Sequence, residues 1–320
     1  MKVLMVGRSR SIAFEDLKKY WGEVDFVKPP WVFRLKKYDL VIGQEPTLRI
    51  GIYSYLVSRL TGARLILEVH ADYLKSGLTP YQKIVAEYLL KRCDLVRAVS
   101  RKIEADLRGM GIKSIIMIPS IYIKTDLYKP LKDHSSRKPL ILSVGRLVEQ
   151  KNFPLLLQVF ENVVKEFPDA ELMIHGRGPL EKQLIELARK LNITDNFKLV
   201  TTWLSDEEMV KLYNEASIIT VTSKYEGGPR VIFEAGACCT PFVSTRVGVL
   251  YETVPDRTGG FYVDENPVEI ANKMITLLSD ANLRQKMGKN MRRIVCENFE
   301  WETAVKRYAE AYLSMSTYCK

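Results

Sequence analysis

The sequence predicts an α/β protein made of two Rossmann-like, doubly wound domains that face each other across a cleft. Three observations predict it. Short β-branched runs alternate with amphipathic stretches, the alternation occurs in two series, and a polar, proline-containing stretch separates them. Alternation of this kind produces right-handed strand–helix–strand crossovers and parallel sheets. Such sheets bind ligands at the carboxyl ends of their strands. Two facing sheets would therefore each bind one ligand in the cleft.

The first series predicts an N-terminal Rossmann-like domain over residues 1–130. Its apolar runs are typical of buried parallel strands, and the stretches between them have helical spacing. The predicted strands are Val3–Val6, Leu40–Ile42, Leu65–Val69, Leu95–Val99 and Ile115–Ile118. The predicted helices are Arg49–Leu60, Tyr81–Lys91 and Arg101–Met110.

A linker is predicted over residues 131–138. The surrounding stretch, Tyr128–Pro139, contains two prolines, several polar residues and few apolar ones. That composition is typical of a connection between domains.

The second series predicts another Rossmann-like domain over residues 139–298. Its predicted strands are Leu140–Val144, Glu171–Ile174, Phe197–Val200, Ile218–Val221 and Phe242–Ser244. The helices between them are Phe153–Glu166, Leu180–Leu191, Asp206–Asn214 and Val231–Cys238. From Pro267 onward the pattern is helical only. We expect residues 299–320 to pack back toward the N-terminal domain, with a last helix over about Trp301–Met315.

Composition indicates a cytoplasmic globular protein. The chain has 320 residues and 47% hydrophobic content, and no segment approaches the roughly 18–20 apolar residues of a membrane helix. The N-terminus runs straight into a strand pattern without the features of a secretory signal. Five cysteines, an odd number without metal-ligand spacing, are expected to be reduced thiols. No cluster of metal ligands is visible in the sequence, so we expect no metal site.

The net charge of +10 lies entirely in residues 1–130. They hold 23 Lys and Arg against 13 Asp and Glu, whereas the remainder holds 25 of each. This asymmetry indicates an anionic partner, although the same side chains would also keep a surface solvated. Basic residues at Arg34–Lys37 and Lys91–Arg108 favour peripheral contact with an anionic inner membrane face. Nucleic acid is an alternative partner, but no recognition motif or aromatic stacking platform supports it. We therefore expect no nucleic-acid partner.

The strongest local pattern is Val221–Gly236. A predicted strand ends near Val221, a loop with Gly227 and Gly228 follows, and Pro229 stands where a helix should begin. Free amides at a helix start attract phosphate or sugar oxygens. Glu226 lies outside this helix and Glu234 inside it, so that one carboxylate could accept bonds from a sugar and the other from a ribose. An ordinary loop with one solvated and one buried glutamate is the alternative.

A second pattern is the strand Leu140–Val144 followed by Gly145, Arg146 and Lys151. Gly145 allows close backbone approach, and an Arg fork with a Lys point charge suits a diphosphate. Two exposed basic residues in a loop would look the same. Neither the phosphate loop of ATPases nor the glycine pattern of dinucleotide enzymes is present.

Two further candidates follow strands. His175–Pro179 predicts a tight strand-to-helix turn, with nucleotide contact as a weaker alternative. His70 directly follows Leu65–Val69 and would face a ligand. Histidine suits hydrogen bonding near neutral pH, although a lone histidine there is more often structural.

Together these pieces resemble the retaining glycosyltransferases of family 4, the glycosyl transferases group 1, which have the two-Rossmann architecture called GT-B. The resemblance covers most of residues 139–315 and is weaker before them. The motifs that carry it are Val144–Leu147 with Lys151, Gly176–Pro179, Leu212–Tyr213 with Ala216, Glu226, Glu234–Ala235, Pro241–Val243, Thr258–Gly259 and Phe299–Glu302, with Glu68–His70, Ala98–Ser100, Gly111 and Ile118–Ser120 before them.

The resemblance implies roles for these residues. Arg146 and Lys151 would hold the diphosphate of a UDP- or GDP-sugar, and Gly145 would belong to the same binding site. Glu226 would contact the sugar, and Glu234 would bind the ribose. The amides of Gly227, Gly228, Arg230 and Val231 would lie near the sugar and phosphates, the base near Thr202–Leu204, and His70 near the reacting centre.

The implied reaction is metal-independent transfer of a hexosyl group, with retention, to a lipid-linked, glycan or other hydroxyl acceptor. Two segments depart from the family pattern. Val6–Ile12 stands where many members have a glycine-rich loop and a histidine, and Pro119–Lys124 replaces a Pro-Asn-Gly turn. The alternatives are an epimerase or phosphorylase of the same architecture and, in another class, a basic nucleic-acid-binding protein.

Overall fold

The computed structural model describes residues 1–11, 13–29, 36–70, 78–131 and 137–317. The chain forms two compact units, one of Met1–Tyr122 with Glu302–Lys320 and one of Ile123–Trp301. The sequence instead places a boundary at 130, and five residues of its linker over 131–138 lie outside the described ranges. The described cysteines carry free thiols.

The first unit contains a six-stranded parallel sheet in the order β2-β1-β3-β4-β5-β6. Its strands are β1 Lys2–Val6, β2 Glu23–Val27, β3 Leu40–Gly43, β4 Arg64–Val69, β5 Leu95–Ala98 and β6 Ile115–Met117. Its helices are α1 Phe14–Trp21, α2 Leu48–Thr61, α3 Pro80–Leu90 and α4 Arg101–Gly109.

The second unit contains another six-stranded parallel sheet, in the order β12-β11-β10-β7-β8-β9. Its strands are β7 Leu140–Val144, β8 Glu171–His175, β9 Phe197–Val200, β10 Ile218–Val221, β11 Phe242–Thr245 and β12 Gly260–Val263. Its helices are α5 Phe153–Glu166, α6 Glu181–Lys190, α7 Asp206–Glu215, α8 Arg230–Ala237, α9 Gly248–Thr253, α10 Pro267–Ser279 and α11 Ala281–Asn298. The predicted pair of Rossmann-like sheets is therefore confirmed.

Each sheet is surrounded by its own apolar core because helices cover both faces of a parallel sheet. In the second unit, α5 contributes Leu156, Val159 and Phe160 to a cluster that also contains Ile141 and Ile218 of the sheet. In the first unit a separate cluster joins strand residues such as Leu4 and Val41 to helix residues such as Val57 and Leu107.

The last helix, α12 Trp301–Thr317, belongs to the first unit from Glu302 onward. Trp21 is almost fully buried, and its indole nitrogen donates to the carbonyl oxygen of Ala309 at 3.1 Å. Its ring also stacks on Tyr312, with centroids 5.8 Å apart. The chain terminus thus completes the packing around α1. Among the described residues, no helix combines the length and apolar character needed to cross a bilayer.

Candidate functional site

The second sheet reverses its strand order at β7, which has β10 on one side and β8 on the other. Open parallel sheets bind ligands beyond the carboxyl ends of the strands at such a reversal. Gly145 and Arg146 follow β7, and the loop with Glu226 follows β10. The candidate residues of the second unit therefore lie where the topology favours a ligand.

Lys151 and Glu226 form a close ion pair at this edge. The ammonium nitrogen Nζ lies 2.6 Å from Oε1 of Glu226, and the side chains are 17% and 9% exposed. The hydroxyl of Ser223 donates to the same oxygen at 2.6 Å. A Cβ on residue 145 would lie 3.3 Å from Cε of Lys151, so Gly145 leaves the space that the lysine stem occupies. The structure brings these predicted residues together.

Hydrogen bonds to backbone carbonyls fix the loop after β10 against the segment that carries Lys151. The side chain of Gln150 donates to the carbonyl of Tyr225 at 2.7 Å, and the amide of Lys224 donates to the carbonyl of Gln150 at 2.9 Å. Thr222 adds a bond from its hydroxyl to the carbonyl of Lys151 at 3.1 Å. The ion pair is therefore held by its surroundings before any ligand arrives.

Glu234 is held inside α8 by two partners. Its Oε2 accepts from the hydroxyl of Tyr213 at 2.8 Å, and its Oε1 lies 2.7 Å from Nε of Arg230. Burial raises the pKa of Glu234, and the Arg230 charge and the Tyr213 hydroxyl counteract part of that rise. Tyr213, which belongs to the family pattern, therefore fixes the position of the Glu234 carboxylate.

The glycine loop before α8 is more constrained than the sequence suggests. The helix begins at Arg230, one residue after Pro229, and the Arg230 amide already donates to the carbonyl of Gly228 at 3.0 Å. The expected ligand contacts of the Gly227, Gly228 and Val231 amides stay predictions. The carbonyl of Gly227 accepts from Val249.

Arg146 is exposed and forms no ion pair within the part of the chain that the structure describes. It follows Gly145 directly, so its guanidinium is available at the same sheet edge as Lys151. Arg146, Lys151 and Glu226 thus follow strands at one edge of the sheet, whereas Glu234 lies within α8. Of these, Lys151 and Glu226 are paired with each other, and Glu234 is paired with Arg230.

The turn after β8 lies against the turn after β7. A Cβ on residue 176 would lie 1.8 Å from the carbonyl oxygen of Gly145, and one on residue 178 would lie 2.4 Å from that of Leu147. The prediction of a tight turn at His175–Pro179 is confirmed.

The segment proposed for the base is connected to the same turn. Nε2 of His175 lies 3.0 Å from the carbonyl oxygen of Thr202. Leu204 is half-buried, and the neighbouring Trp203 is 85% exposed. The sequence analysis did not single out Trp203 beside the proposed base site. What marks it is its exposure, which only the structure shows.

In the first unit, His70 borders a cavity of about 340 Å³. The sheet reverses its order at β1, between β2 and β3, and the cavity lies beyond the carboxyl ends of β1, β3 and β4. Nε2 of His70 lies 2.9 Å from Oε2 of Glu68, and Nδ1 lies 3.2 Å from the hydroxyl oxygen of Ser120. Both ring nitrogens therefore have partners.

Glu68 is the residue on which this cluster depends, and the sequence reasoning missed its role. Its side chain is 2% exposed, and Oε1 accepts from Arg97 at 2.9 Å, from Tyr308 at 2.7 Å and from Tyr312 at 2.8 Å. Burial alone would raise the pKa of Glu68, but the Arg97 charge and the His70 bond hold it well below its usual range. Glu68 and Arg97 are register partners on β4 and β5. The sequence offered one indication of this pair, since Glu68 and Arg97 are charged residues within otherwise apolar strands.

The ionised Glu68 determines the orientation of the His70 ring. A carboxylate can only accept, so Nε2 of His70 must carry the hydrogen that it donates. Nη2 of Arg97 donates to the Ser120 oxygen at 2.8 Å, which leaves the Ser120 hydrogen free to bond to Nδ1. This closed ring of bonds holds the His70 ring in one orientation.

Comparisons with known proteins agree with this architecture. The family model "Glycosyl transferases group 1" matches residues 126–294. N-acetyl-alpha-D-glucosaminyl L-malate synthase of Bacillus anthracis is 24% identical over 309 residues, which are 90% of this chain and 80% of that protein.

Two solved structures show the same fold. The Anabaena protein HepE, solved with UDP and glucose, superposes with a TM-score of 0.84 at 19% identity, over 98% of this chain and 100% of that one. TarM of S. aureus, solved with UDP and alpha-GlcNAc-glycerol, gives 0.74 at 18% identity over 87% of this chain. The match spans only 55% of the TarM chain. Since the family model covers more than half of the sequence, the chain belongs to the glycosyl transferases group 1 and has the GT-B fold.

Proposed function

We propose that this glycosyltransferase moves a hexosyl group from a UDP- or GDP-sugar to an acceptor hydroxyl, with retention and without a metal ion. One observation carries the proposal: the Lys151–Glu226 ion pair stands at the strand-order reversal of the second sheet, beside a glycine loop that opens a helix. A cation and a hydrogen-bond acceptor side by side match a diphosphate joined to a sugar.

The donor would lie along this edge. Lys151 and the free guanidinium of Arg146 would hold the diphosphate, and Glu226 would accept bonds from sugar hydroxyls. The Glu234 carboxylate would accept bonds from the ribose hydroxyls, and the base would lie near Leu204. When the diphosphate binds, it would compete with Glu226 for Lys151, which frees the carboxylate for the sugar.

In the proposed reaction the bond between the anomeric carbon and the diphosphate oxygen breaks. A bond from the acceptor oxygen to the same carbon forms on the same face, and the acceptor proton passes to the departing diphosphate. The charge that develops on the diphosphate would be stabilised by Arg146 and Lys151. The ring of His70 is fixed by Glu68 and Ser120, and we retain contact with substrate as its proposed role.

The relatives support a nucleotide-sugar donor and leave the acceptor open. HepE was solved with UDP and glucose, which supports a UDP-hexose. The Bacillus anthracis relative is named for L-malate, whereas the TarM complex contains alpha-GlcNAc-glycerol. We keep a lipid-linked, glycan or other hydroxyl acceptor as the proposed class.

The test replaces Lys151 or Glu226 by Ala and measures transfer with a panel of nucleotide sugars. We expect each change to reduce turnover by at least about a hundredfold, because it removes charge stabilisation or sugar contact at the reacting bond. Lys165→Ala and Glu161→Ala are the matched controls, since these residues form an exposed pair at 2.8 Å on α5 of the same unit. Unchanged turnover in either site variant would refute the assigned roles.

The same assay separates the alternative enzyme classes. Incubation of the donor alone should give no new nucleotide sugar and no phosphate-dependent cleavage. Either product would identify an epimerase or a phosphorylase instead of a transferase.

A further inference from the structure

Two neighbouring helices of the first unit carry an unusual share of the exposed apolar surface. In the described part of the chain, nine large apolar side chains are strongly exposed, and five of these lie on α2 or α3. We call these five the α2–α3 surface: Leu56, Leu60, Tyr81, Ile84 and Tyr88. Single exposed apolar residues are normal, but such a concentration indicates a binding surface.

The three members on α3 form one stripe. Tyr81, Ile84 and Tyr88 are 65%, 66% and 48% exposed, and residues three and four apart share a helix face. The opposite face of α3 is buried through Ala86 and Leu89. The helix is therefore apolar on both its buried and its exposed face.

Contacts between the side chains show that α2 and α3 run side by side. The rings of Tyr55 and Tyr88 have centroids 6.4 Å apart, and Nη2 of Arg59 donates to the carbonyl of Arg92 at 2.9 Å. Leu56 follows Tyr55 on α2, and Leu60 lies one turn further on. The exposed residues of both helices thus belong to one region of the first unit.

This region is rich in positive charge. The two helices and the two residues after α3 contain one acid, Glu87, against five cations: Arg49, Arg59, Lys83, Lys91 and Arg92. The guanidinium of Arg92 lies 3.7 Å from the centroid of the Tyr88 ring, and that of Arg59 lies 5.0 Å from that of Tyr55. Cations therefore border the apolar stripe directly.

A cationic cavity of about 670 Å³ opens where α2 and α3 begin. Arg8, Lys28 and Arg49 are among its lining residues, and no acidic residue is among them. Arg8 is partly neutralised by Glu45, whose carboxylate lies 3.0 Å away. Neither Lys28 nor Arg49 has an ion-pair partner in the described ranges.

We propose that the α2–α3 surface docks on a membrane that contains anionic lipid, with the cavity taking a lipid phosphate. Tyrosines, aliphatic side chains and flanking Lys and Arg are the combination that lies at a bilayer interface. Each Lys or Arg near such a surface contributes about 1 kcal/mol. A second copy of this chain is a poorer occupant, because two surfaces of the same positive charge repel. The proposal is independent of the donor site, which lies in the other unit.

The proposal covers only part of the basic contact suggested by the sequence. Lys91 and Arg92 border the α2–α3 surface, although Lys91 is paired with Glu87 at 2.6 Å. On α4, Lys102 and Arg108 are paired with Asp106 and Glu104 at 2.6 and 2.7 Å. Part of the other expected segment, residues 34 and 35, lies outside the described residues.

The test is sedimentation with phosphatidylcholine vesicles, with and without phosphatidylglycerol, at low salt. The full chain should sediment only with the anionic vesicles. Ile84→Ser should weaken binding about tenfold, because it removes an inserted apolar side chain, and Lys28→Gln with Arg49→Gln should weaken it about 30-fold at 1 kcal/mol per charge.

The matched controls lie in the second unit. Val268→Ser removes an apolar side chain that is 59% exposed, and Lys182→Gln with Arg189→Gln removes two exposed charges on α6; both should bind vesicles as the unchanged chain does. Every variant should keep the thermal shift caused by a nucleotide sugar. That result would show that the variant is folded and that donor binding does not depend on the α2–α3 surface.

Three results would overturn the proposal. The unchanged chain could fail to sediment with anionic vesicles, or Ile84→Ser could bind as tightly as Val268→Ser does. A concentration-dependent dimer that Ile84→Ser dissociates would assign the surface to a second copy of the chain instead.

Discussion

At the residue scale, Glu68 is a buried acid whose charge is balanced by its partners. It shares its carboxylate with Arg97, two tyrosine hydroxyls of α12 and His70. Removing one member of a buried pair leaves the other without compensation, and this costs more than the pair itself contributes. Arg97, also 2% exposed, would be left as a buried charge without its carboxylate partner.

We therefore predict that Glu68→Gln lowers the free energy of unfolding by about 3 kcal/mol at neutral pH. The folded state lowers the pKa of Glu68. The ionised Glu68 therefore stabilises the fold at pH values above its pKa in the unfolded chain. This stabilisation is lost as pH falls toward its pKa in the folded state. Urea unfolding at neutral and acidic pH measures both effects, and the difference between variant and unchanged chain should shrink on acidification.

The matched control for this change is Glu104→Gln, which breaks an exposed pair with Arg108 in the same unit. It should alter stability by less than about 1 kcal/mol. Equal losses for the two variants would show that burial of the Glu68 carboxylate has no special weight.

At the element scale, close packing between turns explains the glycines after β8. Gly176 lies against the carbonyl of Gly145, and Gly178 lies against that of Leu147. Position 248 adds a positive φ of 45°, together with a potential Cβ contact of 2.2 Å to the Gly227 carbonyl. Each glycine allows one turn of the candidate site to approach another.

We predict that Gly176→Ala destabilises the second unit by about 3 kcal/mol and weakens nucleotide-sugar binding. The added methyl group would have to displace the turn that carries Gly145 and Arg146. Gly109→Ala is the control, because no atom lies within 4 Å of its potential Cβ, and it should be neutral or slightly stabilising. Thermal unfolding with and without the donor measures both. Equal binding by the two variants would contradict the role given to this turn.

The two strands that the sequence reasoning missed, β2 and β12, each lie at one end of a sheet. Neither is a long apolar run, since β2 contains Glu23 and Asp25 and β12 begins at Gly260. The strands at the opposite ends, β6 and β9, were predicted, whereas the helices α1 and α9 were also missed. Central parallel strands are buried on both faces and therefore have near-continuous apolar sequences, but outer strands need not. Of the central strands, β7 and β10 match their predicted bounds, Leu140–Val144 and Ile218–Val221.

At the scale of the whole molecule, the sequence predicted what depends on local pattern and missed what depends on distant residues. The segment from Val221 to Glu234 combines strand end, glycines and helix start within one stretch, so its local structure could be predicted from the sequence. The contacts of Glu68 with Tyr308 and Tyr312 join residues far apart in the chain. The sequence led us to expect residues 299–320 to pack toward the N-terminal domain, but no local pattern indicates which side chains of α12 meet Glu68.

The division into two units makes a prediction about where a donor acts. A ligand that binds only the folded state stabilises it by about 2.7 kcal/mol at a hundred times its dissociation constant. If the second unit holds the nucleotide sugar, hydrogen exchange should slow by up to about a hundredfold in β7, β10 and α8, since opening of these elements would release the ligand. Exchange in β4 and β5 should change far less, because Glu68, Arg97 and the tyrosines already hold that region without the donor. Mass spectrometry of peptides from both units, with Lys151→Ala as the control that binds weakly, distinguishes the cases. Protection confined to β4 and β5 would place the donor in the first unit and remove the basis for the roles given to Arg146, Lys151, Glu226 and Glu234.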